Sequence, residues 1–491
     1  MNKLRSMTEI TSAINKCLKN VANNYIADND HRQDGEGGEE VSGLIIDMFA
    51  GGGGASVGIE MALGRQVDIA VNHDPMAIKM HQMNHPDTLH LTEDVFTVNL
   101  AKYVKGRHVS LMWASPDCTS HSKAKGGQPR LSGLRILPWA VVKQTKSVMP
   151  DVVIMENVEE IQKWGPLDAE GYPIKEKAGQ DYLRFVTAMI SLGYEFDSRE
   201  LVAADYGAPT TRKRWYAIFR RDGKPIVWPE PTNSKNGDGL DPWVPVSTVL
   251  DFSDLGTSIF DRKKPLAEKT MRRIARGIQK FVIDDPEPYI IDGKLPFIIQ
   301  YHSETSGDPR GQNVKAPLQT IDTSNRYGMV SAFLTKYYGQ SVGERLDGPL
   351  GAILSGGNHY GIVSAFLMKY YGTGDNCKSI HEPLQTITTD DRFAIVSIMG
   401  EQYAIADIYL RMLKPEELKL AQGFPKDYII DHYIDGTSVT HKEQVARIGN
   451  SVVPVMAKAL VAANVPYLKV GERMPNIQYH FEGKQMDRSG I

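Results

Sequence analysis

The chain has 491 residues, 41% of them hydrophobic and 23% charged, with a formal net charge of −3 and a mean hydropathy of −0.32. No apolar run approaches the roughly 18 residues a membrane span needs, and MNKLRSMTEI has no secretory apolar core. The three cysteines, Cys17, Cys118 and Cys377, are far apart. A disulfide scaffold and a zinc module are therefore set aside, no metal is expected, and the expected setting is a reducing cytoplasm with no membrane partner.

Roughly 150 residues per domain predicts two or three domains. Residues 1–40 hold one short helical stretch and then DNDHRQDGEGGEE, read as a flexible N-terminal segment. From 43 the texture becomes α/β. GLIIDMF, VDIAVN, TLHLTED, VSLMW and DVVIMEN are short apolar runs with helical stretches between several of them, such as 136–148. That alternation predicts a parallel sheet. YEFDSRELVAADYG and RWYAIFRR add two strands, expected to be antiparallel. A boundary falls near 225, closing a first domain over 41–225. The next stretch is rich in Pro, Gly and Asp, with a basic amphipathic helix expected over 266–281.

An internal repeat follows. PLQTIDTSNRYGMVSAFLTKYYG starts at Pro317, PLGAILSGGNHYGIVSAFLMKYYG at Pro349 and PLQTITTDDRFAIVSIMG at Pro383. Three units of about 33 residues are few for a free solenoid, so a compact β-rich insert over 226–403 is expected. Helical texture is expected from about 405, with a helix start at Lys414-Pro415-Glu416-Glu417. SVVPVMAKALVAANV is apolar enough to pack back on the first domain, so 404–470 should complete it, with 471–491 a tail.

The net charge does not advertise nucleic-acid binding, yet positive charge is gathered locally. Residues 262–280 carry eight Lys and Arg against Glu268. Residues 212–224 carry six against Asp222. Lys123, Lys125, Arg130 and Arg135 form a third group. Each is a solvated surface on its own; three beside the candidate chemistry predict phosphate contacts.

In an open parallel sheet, ligands sit beyond the carboxyl ends of the strands. Those ends carry Asp47-Met48-Phe49-Ala50 running into Gly51–Gly54, then Asn72-His73-Asp74, Glu93-Asp94, Ser115-Pro116-Asp117-Cys118 and Glu156-Asn157. The glycine run lacks the G-x-G-x-x-G dinucleotide pattern, so a nucleoside without a pyrophosphate fits at least as well. A tight strand–helix turn is the plainer reading. Asp74 and Asp94 suit a ribose hydroxyl and an adenine amino group, or a helix cap and a turn. Cys118 lies in a polar loop near His121, Lys123 and Lys125, where a thiolate is favoured; a buried cysteine would more often be an apolar packer. Glu156 ends the strand reached by the next crossover. If burial raises its pKa, it can serve as a general acid beside Cys118.

These blocks resemble the cytosine-5 DNA methyltransferases of bacteria and phages. DMFAGGGG resembles that family's cofactor loop, SPDC its nucleophile loop, Glu156-Asn157-Val158 its Glu-Asn-Val triplet, and YGAPTTRKR its Gln-x-Arg-x-Arg segment through Arg212 and Arg214. LKPEELKLAQGFP and IGNSVVPVMAKAL match its last two blocks. Departures are Asp117 between Pro116 and Cys118, His73 for the usual Glu, and Thr210 for the usual Gln. The resemblance implies a Rossmann-like S-adenosylmethionine-dependent domain with a β-rich target-recognition insert. It implies cofactor contacts from Asp47, Phe49, Ala50, Gly51, Gly53, His73 or Asp74, Asp94, Asn450, Ser451 and Val452. Cys118 would attack carbon 6 of a flipped cytosine, Glu156 would steady N3, Asn157 would hold the loop or the exocyclic amino group, and Arg212, with Arg214 beside it, would hold the base carbonyl or a phosphate. The implied partner is double-stranded DNA. A monomer in a bacterial or phage-infected cell, nucleoid-associated, is expected, with a separate restriction endonuclease as a possible partner. Methylation of tRNA cytosine, a non-catalytic DNA-binding scaffold and, from the glycine loop alone, a nicotinamide oxidoreductase are the competing readings.

Overall fold

A computed structural model describes residues 43–117, 136–301, 310–336 and 401–476, with the short strand pieces 367–368, 377–378 and 395–398. The N-terminal segment 1–40, Cys118 with the basic group at 123–135, most of the second and third repeats, and residues 477–491 lie outside the described residues.

Apolar runs buried on both faces make a central parallel sheet. Its strands are β1 (Leu44–Met48), β2 (Ile69–Val71), β3 (Leu89–Leu91), β4 (Val109–Ala114), β5 (Val152–Asn157), β6 (Glu195–Val202) and β7 (Lys213–Arg220), in the order β3-β2-β1-β4-β5-β7-β6. The first five run parallel; β7 is antiparallel to both β5 and β6. The chain winds outward from β1 in one direction and from β4 in the other, so their carboxyl ends form the switch-point crevice.

Alternate residues serve opposite layers. Ile46, Met48, Met112, Val153 and Met155 pack with α3 (Leu100–Val104), α4 (Leu137–Val148) and α5 (Gln180–Ser191). Ile45, Leu111, Trp113 and Ile154 pack with α1 (Gly54–Leu63) and, from the far end of the chain, α9 (Pro454–Asn464). The apolar C-terminal run does return to the first domain. It is two helices, α8 (His441–Asn450) and α9, broken at 451–453 and mostly buried. The remaining first-domain helix, α2 (Pro75–Asn84), follows β2.

The insert builds a second, antiparallel sheet. Its strands are β8 (Thr257–Ser258), β9 (Lys294–Gln300), β10 (Gly311–Asn313), β11 (Tyr327–Lys336), β12 (Ile395–Ile398) and β13 (Glu401–Met412), in the order β8-β13-β11-β9-β10 with β12 beside β13. The basic helix α6 (Glu268–Ile278) covers one face through Met271, Ile274 and Ile278 against Leu295, Phe297 and Ile299. The opposite face, with Ile298, Tyr327 and Met329, meets α7 (Pro415–Ala421) and α8.

One expectation is corrected. Helical texture does not start at 405: β13 continues to Met412 and helix begins at Pro415. The period is two, with Ile408 and Leu410 facing α6 and Asp407, Tyr409 and Arg411 alternating with them. β9 follows directly on the Pro/Gly/Asp-rich stretch. Pro296 masks it by composition, but sits outside the Phe297–Ile299 stretch that pairs with β10.

Gly58 marks how closely α1 and α9 pack. A Cβ there would lie 2.3 Å from the Pro454 carbonyl oxygen and 2.6 Å from the Ala457 Cβ. Gly58→Ala should therefore destabilise the protein by about 1–3 kcal/mol, the usual cost of overpacking. Urea denaturation measures it, and an unchanged midpoint would refute the packing argument.

Candidate active site

The glycine loop after β1 is held in an uncommon backbone conformation. Phe49, Gly51 and Gly53 have φ of 67°, 44° and 81°. For Phe49 this is a strained region of the kind found at functional sites. The loop is fixed by Ala50 N donating to the Val71 carbonyl at 3.0 Å and Gly53 N donating to the Ala50 carbonyl at 2.9 Å.

Each glycine has a different neighbour. A Cβ on Gly52 would lie 2.6 Å from Ser451 Oγ, one on Gly53 1.9 Å from Tyr428 Oη, and one on Gly54 2.1 Å from the Val452 carbonyl oxygen. Three of the four glycines thus admit the C-terminal segment rather than a ligand. Gly51 is the exception, with only the Phe49 carbonyl oxygen within 4 Å of its Cβ position. That side of Gly51 faces open space.

Beneath the loop runs a buried polar chain. Ser56 Oγ donates to Asp47 Oδ2 at 2.6 Å, His81 Nε2 lies 2.9 Å from Ser56 Oγ, and His81 Nδ1 lies 2.8 Å from His90 Nε2. With Ser56 donating to Asp47, His81 Nε2–H donates to Ser56 and His90 Nε2–H donates to His81. Asp47 is wholly buried, and burial pushes its pKa up to about 7. It supports the loop from below.

The β2 and β3 ends divide their work. Asp74 caps α2, accepting from Met76 N at 2.9 Å, and pairs with Arg447 at 2.5 Å. Burial opposes its charge, but Arg447 and the helix amides outweigh burial and hold the carboxyl below its usual range. His73 is exposed beside it. Asp94 is exposed as well; its Oδ1 accepts from Phe96 N at 2.7 Å in a local turn. Asn450 is exposed at the end of α8, next to the packed Ser451 and Val452.

Glu156 and Asn157 end β5. Ala114 pairs with Met155, so the loop toward Cys118 starts level with Glu156. Asn157 Nδ2 donates to the Pro116 carbonyl at 3.0 Å, and its Oδ1 accepts from Val158 N at 2.9 Å. Of its two expected tasks, Asn157 performs the loop-holding one. Glu156 is 8% exposed and faces Arg214 Nε at 3.2 Å. Arg212 has other partners: its Nη1 donates to the carbonyls of Ile321 at 3.0 Å and Gly449 at 3.1 Å. Of the two arginines, Arg214 stands beside the acid and Arg212 is engaged by main-chain carbonyls. Cys118 itself lies outside the described residues.

The sequence profile of C-5 cytosine-specific DNA methylases matches residues 44–465. The chain belongs to that family. It is similar to the Type II methyltransferase M1.HphI of Haemophilus parahaemolyticus, at 26% identity over 267 residues, 53% of this chain and 68% of that protein. M.AquIA of Picosynechococcus sp. is 28% identical over 203 residues, 38% of this chain and 76% of that protein. M.HindV of Haemophilus influenzae is 26% identical over 294 residues, 59% of this chain and 86% of that protein. The chain is a DNA (cytosine-5-)-methyltransferase on a Rossmann-like α/β fold, and the competing readings are not favoured.

The methylase spends one of its basic groups internally. In 212–224, Lys213 pairs with Glu159 at 2.8 Å and Glu200 at 2.6 Å, Arg220 pairs with Asp222, and Arg221 donates to the Met149 carbonyl. β7 lies between β5 and β6, and Glu159, just past β5, and Glu200, on β6, both pair with Lys213. Exposed cations remain near α6, at Lys263, Lys264, Lys269, Arg272 and Lys280.

Sequence reasoning missed several supports of the loop. Tyr428 Oη donates to the Gly52 carbonyl at 2.9 Å, and Gln422 Nε2 to the Ser451 carbonyl at 3.0 Å. The buried Lys419 holds the carbonyls of Lys426 and Tyr428 at 2.8 Å each. Gln422 and Lys419 lie in the LKPEELKLAQGFP block, which signalled them as a group; nothing in the sequence marked Tyr428.

The histidines set a pH dependence. Burial, with His85 nearby, pushes His90 down to about 4, and burial pushes His81 well below the ordinary value of 6.5. Between about 4 and 6.5 the unfolded chain therefore holds protons the native state lacks, so stability rises with pH. Asp47, raised from 3.8, acts in the opposite sense between about 4 and 7. Two histidines outweigh one carboxyl, so this network should lower the urea midpoint on acidification from about pH 6.5 to 4.5. His90→Gln should flatten that decline; an equally steep decline in the variant would refute the assignment.

Proposed function

We propose that this methylase modifies cytosine in duplex DNA through a covalent adduct at Cys118, with S-adenosylmethionine as methyl donor. The single observation that carries the reading is the Glu156–Arg214 pair at the end of β5, level with the start of the loop that leads to Cys118.

The residues of the switch-point edge fit the cofactor. Gly51 leaves an open cradle beside Phe49. His73 offers a ring nitrogen for a ribose hydroxyl, and Asp94 a free-facing carboxylate oxygen for an adenine amino group. Asn450 closes the rim, while Asp47, Ala50, Gly53, Asp74, Ser451 and Val452 shape the wall. When bound, S-adenosylmethionine supplies a methyl group made electrophilic by its sulfonium.

The chain's own residues do the rest. Cys118, as thiolate, adds to carbon 6 of cytosine and makes carbon 5 nucleophilic. Glu156 hydrogen-bonds or protonates N3 as charge develops on the ring. Arg214 orients the Glu156 carboxyl, and Asn157 fixes the Pro116 carbonyl and with it the approach to Cys118. After carbon 5 is methylated it loses its proton, and expulsion of Cys118 restores the ring. The base must leave the stack at a cost of a few kcal/mol. Cations around α6 offset part of that cost through phosphate contacts, so binding should weaken with salt. The insert reads the target sequence. The same reading includes a monomeric enzyme in a bacterial or phage-infected cytoplasm, with a restriction endonuclease as a separate chain.

Methylome sequencing of DNA from cells expressing the chain tests the activity, the modified atom and the target together. Duplex DNA carrying 5-fluorocytosine in that target should trap a covalent adduct, because carbon 5 then has no proton to lose. Cys118→Ala should abolish the adduct, and its persistence would sink the assignment. Glu156→Gln should slow methyl transfer by about 10²–10⁴-fold; a rate within a few-fold of the parent removes the acid role.

A further inference from the structure

We propose that Arg212 is a positioning residue through which the recognition insert controls the cofactor loop, an inference that rests on the functional reading above. The key observation is that one buried nitrogen, Arg212 Nη1, binds carbonyls from two regions distant in sequence: Ile321 of the insert and Gly449 at the end of α8. Arg212 is 5% exposed.

The insert is stitched to the arginine segment around that point. Thr210 and Leu318 form a parallel bridge. Thr211 N donates to the Leu318 carbonyl, and Leu318 N to the Pro209 carbonyl, each at 2.8 Å. On the other side, Gly449 has no space for a side chain: a Cβ would lie 2.0 Å from the Asp322 carbonyl oxygen. Residues 318–322 are thus wedged between the arginine segment and α8.

From Gly449 the path to the cofactor loop is short. Just beyond it, Ser451 and Val452, with the Arg447 carbonyl, form the surface on which Gly52 and Gly54 rest. One turn earlier, Arg447 pairs with Asp74 at the β2 end. In the opposite direction, Arg214 lies two residues from Arg212 and faces Glu156. A shift of 318–322 when the insert engages its target therefore displaces Gly449 and Arg212 together. The displacement reaches the glycine loop on one side and the Glu156–Arg214 pair on the other. Tight contacts of this kind transmit shifts because packed segments cannot compress. Coupling of two ligands through such a contact is reciprocal and is typically 5–150-fold in affinity.

The test compares binding of S-adenosylhomocysteine with and without a synthetic duplex carrying the sequence found methylated, in the full chain and its variants. In the parent, the duplex should tighten S-adenosylhomocysteine binding on the order of tenfold relative to an unrelated duplex. Arg212→Met should bring that ratio close to one and raise KM for S-adenosylmethionine more than it lowers kcat at saturation. Arg212→Lys, which keeps a charged donor, should retain part of the ratio. If Arg212→Met does not fold, as judged by its urea midpoint, Arg212→Lys and Arg212→Gln carry the comparison. Folded variants with the parental ratio overturn the inference, as does a parent whose ratio is one. A parent that methylates no DNA instead overturns the functional reading on which the inference rests.

Discussion

The site depends on a contact in which two backbones meet with no side chain between them. Gly52 and Gly54, just after β1, lie against Arg447, Ser451 and Val452, and Gly58 continues the contact between α1 and α9. The segments are about four hundred residues apart in sequence, yet each defines the other's shape. Without the C-terminal helices, the Ile45 and Leu111 face of the central sheet loses Met456, Leu460 and Val461. The glycine loop would also lose the surface that sets its left-handed backbone. The β-rich insert is consequently held at both ends. β7 precedes it in the central sheet, and β13 leads directly into α7 and α8.

Electrostatics follows the same economy of committed groups. A protein of net charge −3 cannot attract DNA by its overall field, so local arrangement decides which cations face a polyanion. Lys213, Arg214 and Arg220 pair with carboxylates near the sheet, where they fix geometry. The exposed lysines and Arg272 around α6 stay at the surface of the insert, on the side of its sheet away from α7 and α8. Arg214 and Arg220 are largely buried in their pairs, whereas Lys213 keeps a partly exposed side chain. The chain from His90 through His81 and Ser56 to Asp47 shows the complementary device: polar groups buried together and satisfied largely by one another.

Much of the fold was legible because its signals are local. Continuous apolar runs announced β1 to β5, and the antiparallel pair β6 and β7 followed from two further runs. The long basic amphipathic pattern located α6. Legibility failed where tertiary context overrides local texture. β9 contains a proline that composition counts against a strand, although it lies outside the pairing with β10. β13 was mistaken for the onset of helix because its alternation follows a repeat and precedes Lys414-Pro415. At the site, Glu156, Asn157 and the glycine loop were visible as residues ending apolar runs. Asp74 was visible too, but its choice between cap and ligand depends on Arg447, which arrives from the other end of the chain. Tyr428 and Gln422 act on main-chain carbonyls, and such contacts have no spacing rule to betray them.

Arg212 and Arg214 show why residue type alone does not assign a role. Arg212 immediately precedes β7 and Arg214 is its second residue. Arg214 meets a carboxylate, and the charged pair is largely buried at the end of β5. Arg212 meets carbonyl oxygens in the interior. A guanidinium suits that place because it stays charged and offers several donors in a fixed plane, so one group can hold two carbonyls from different segments. A lysine would present a more strongly hydrated point charge on a flexible stem, with a larger tendency to lose its proton on burial. The neighbouring Thr210 is wholly buried and bridges to Leu318. That bridge and the buried guanidinium belong to one arrangement, in which the insert's backbone comes within reach of Arg212.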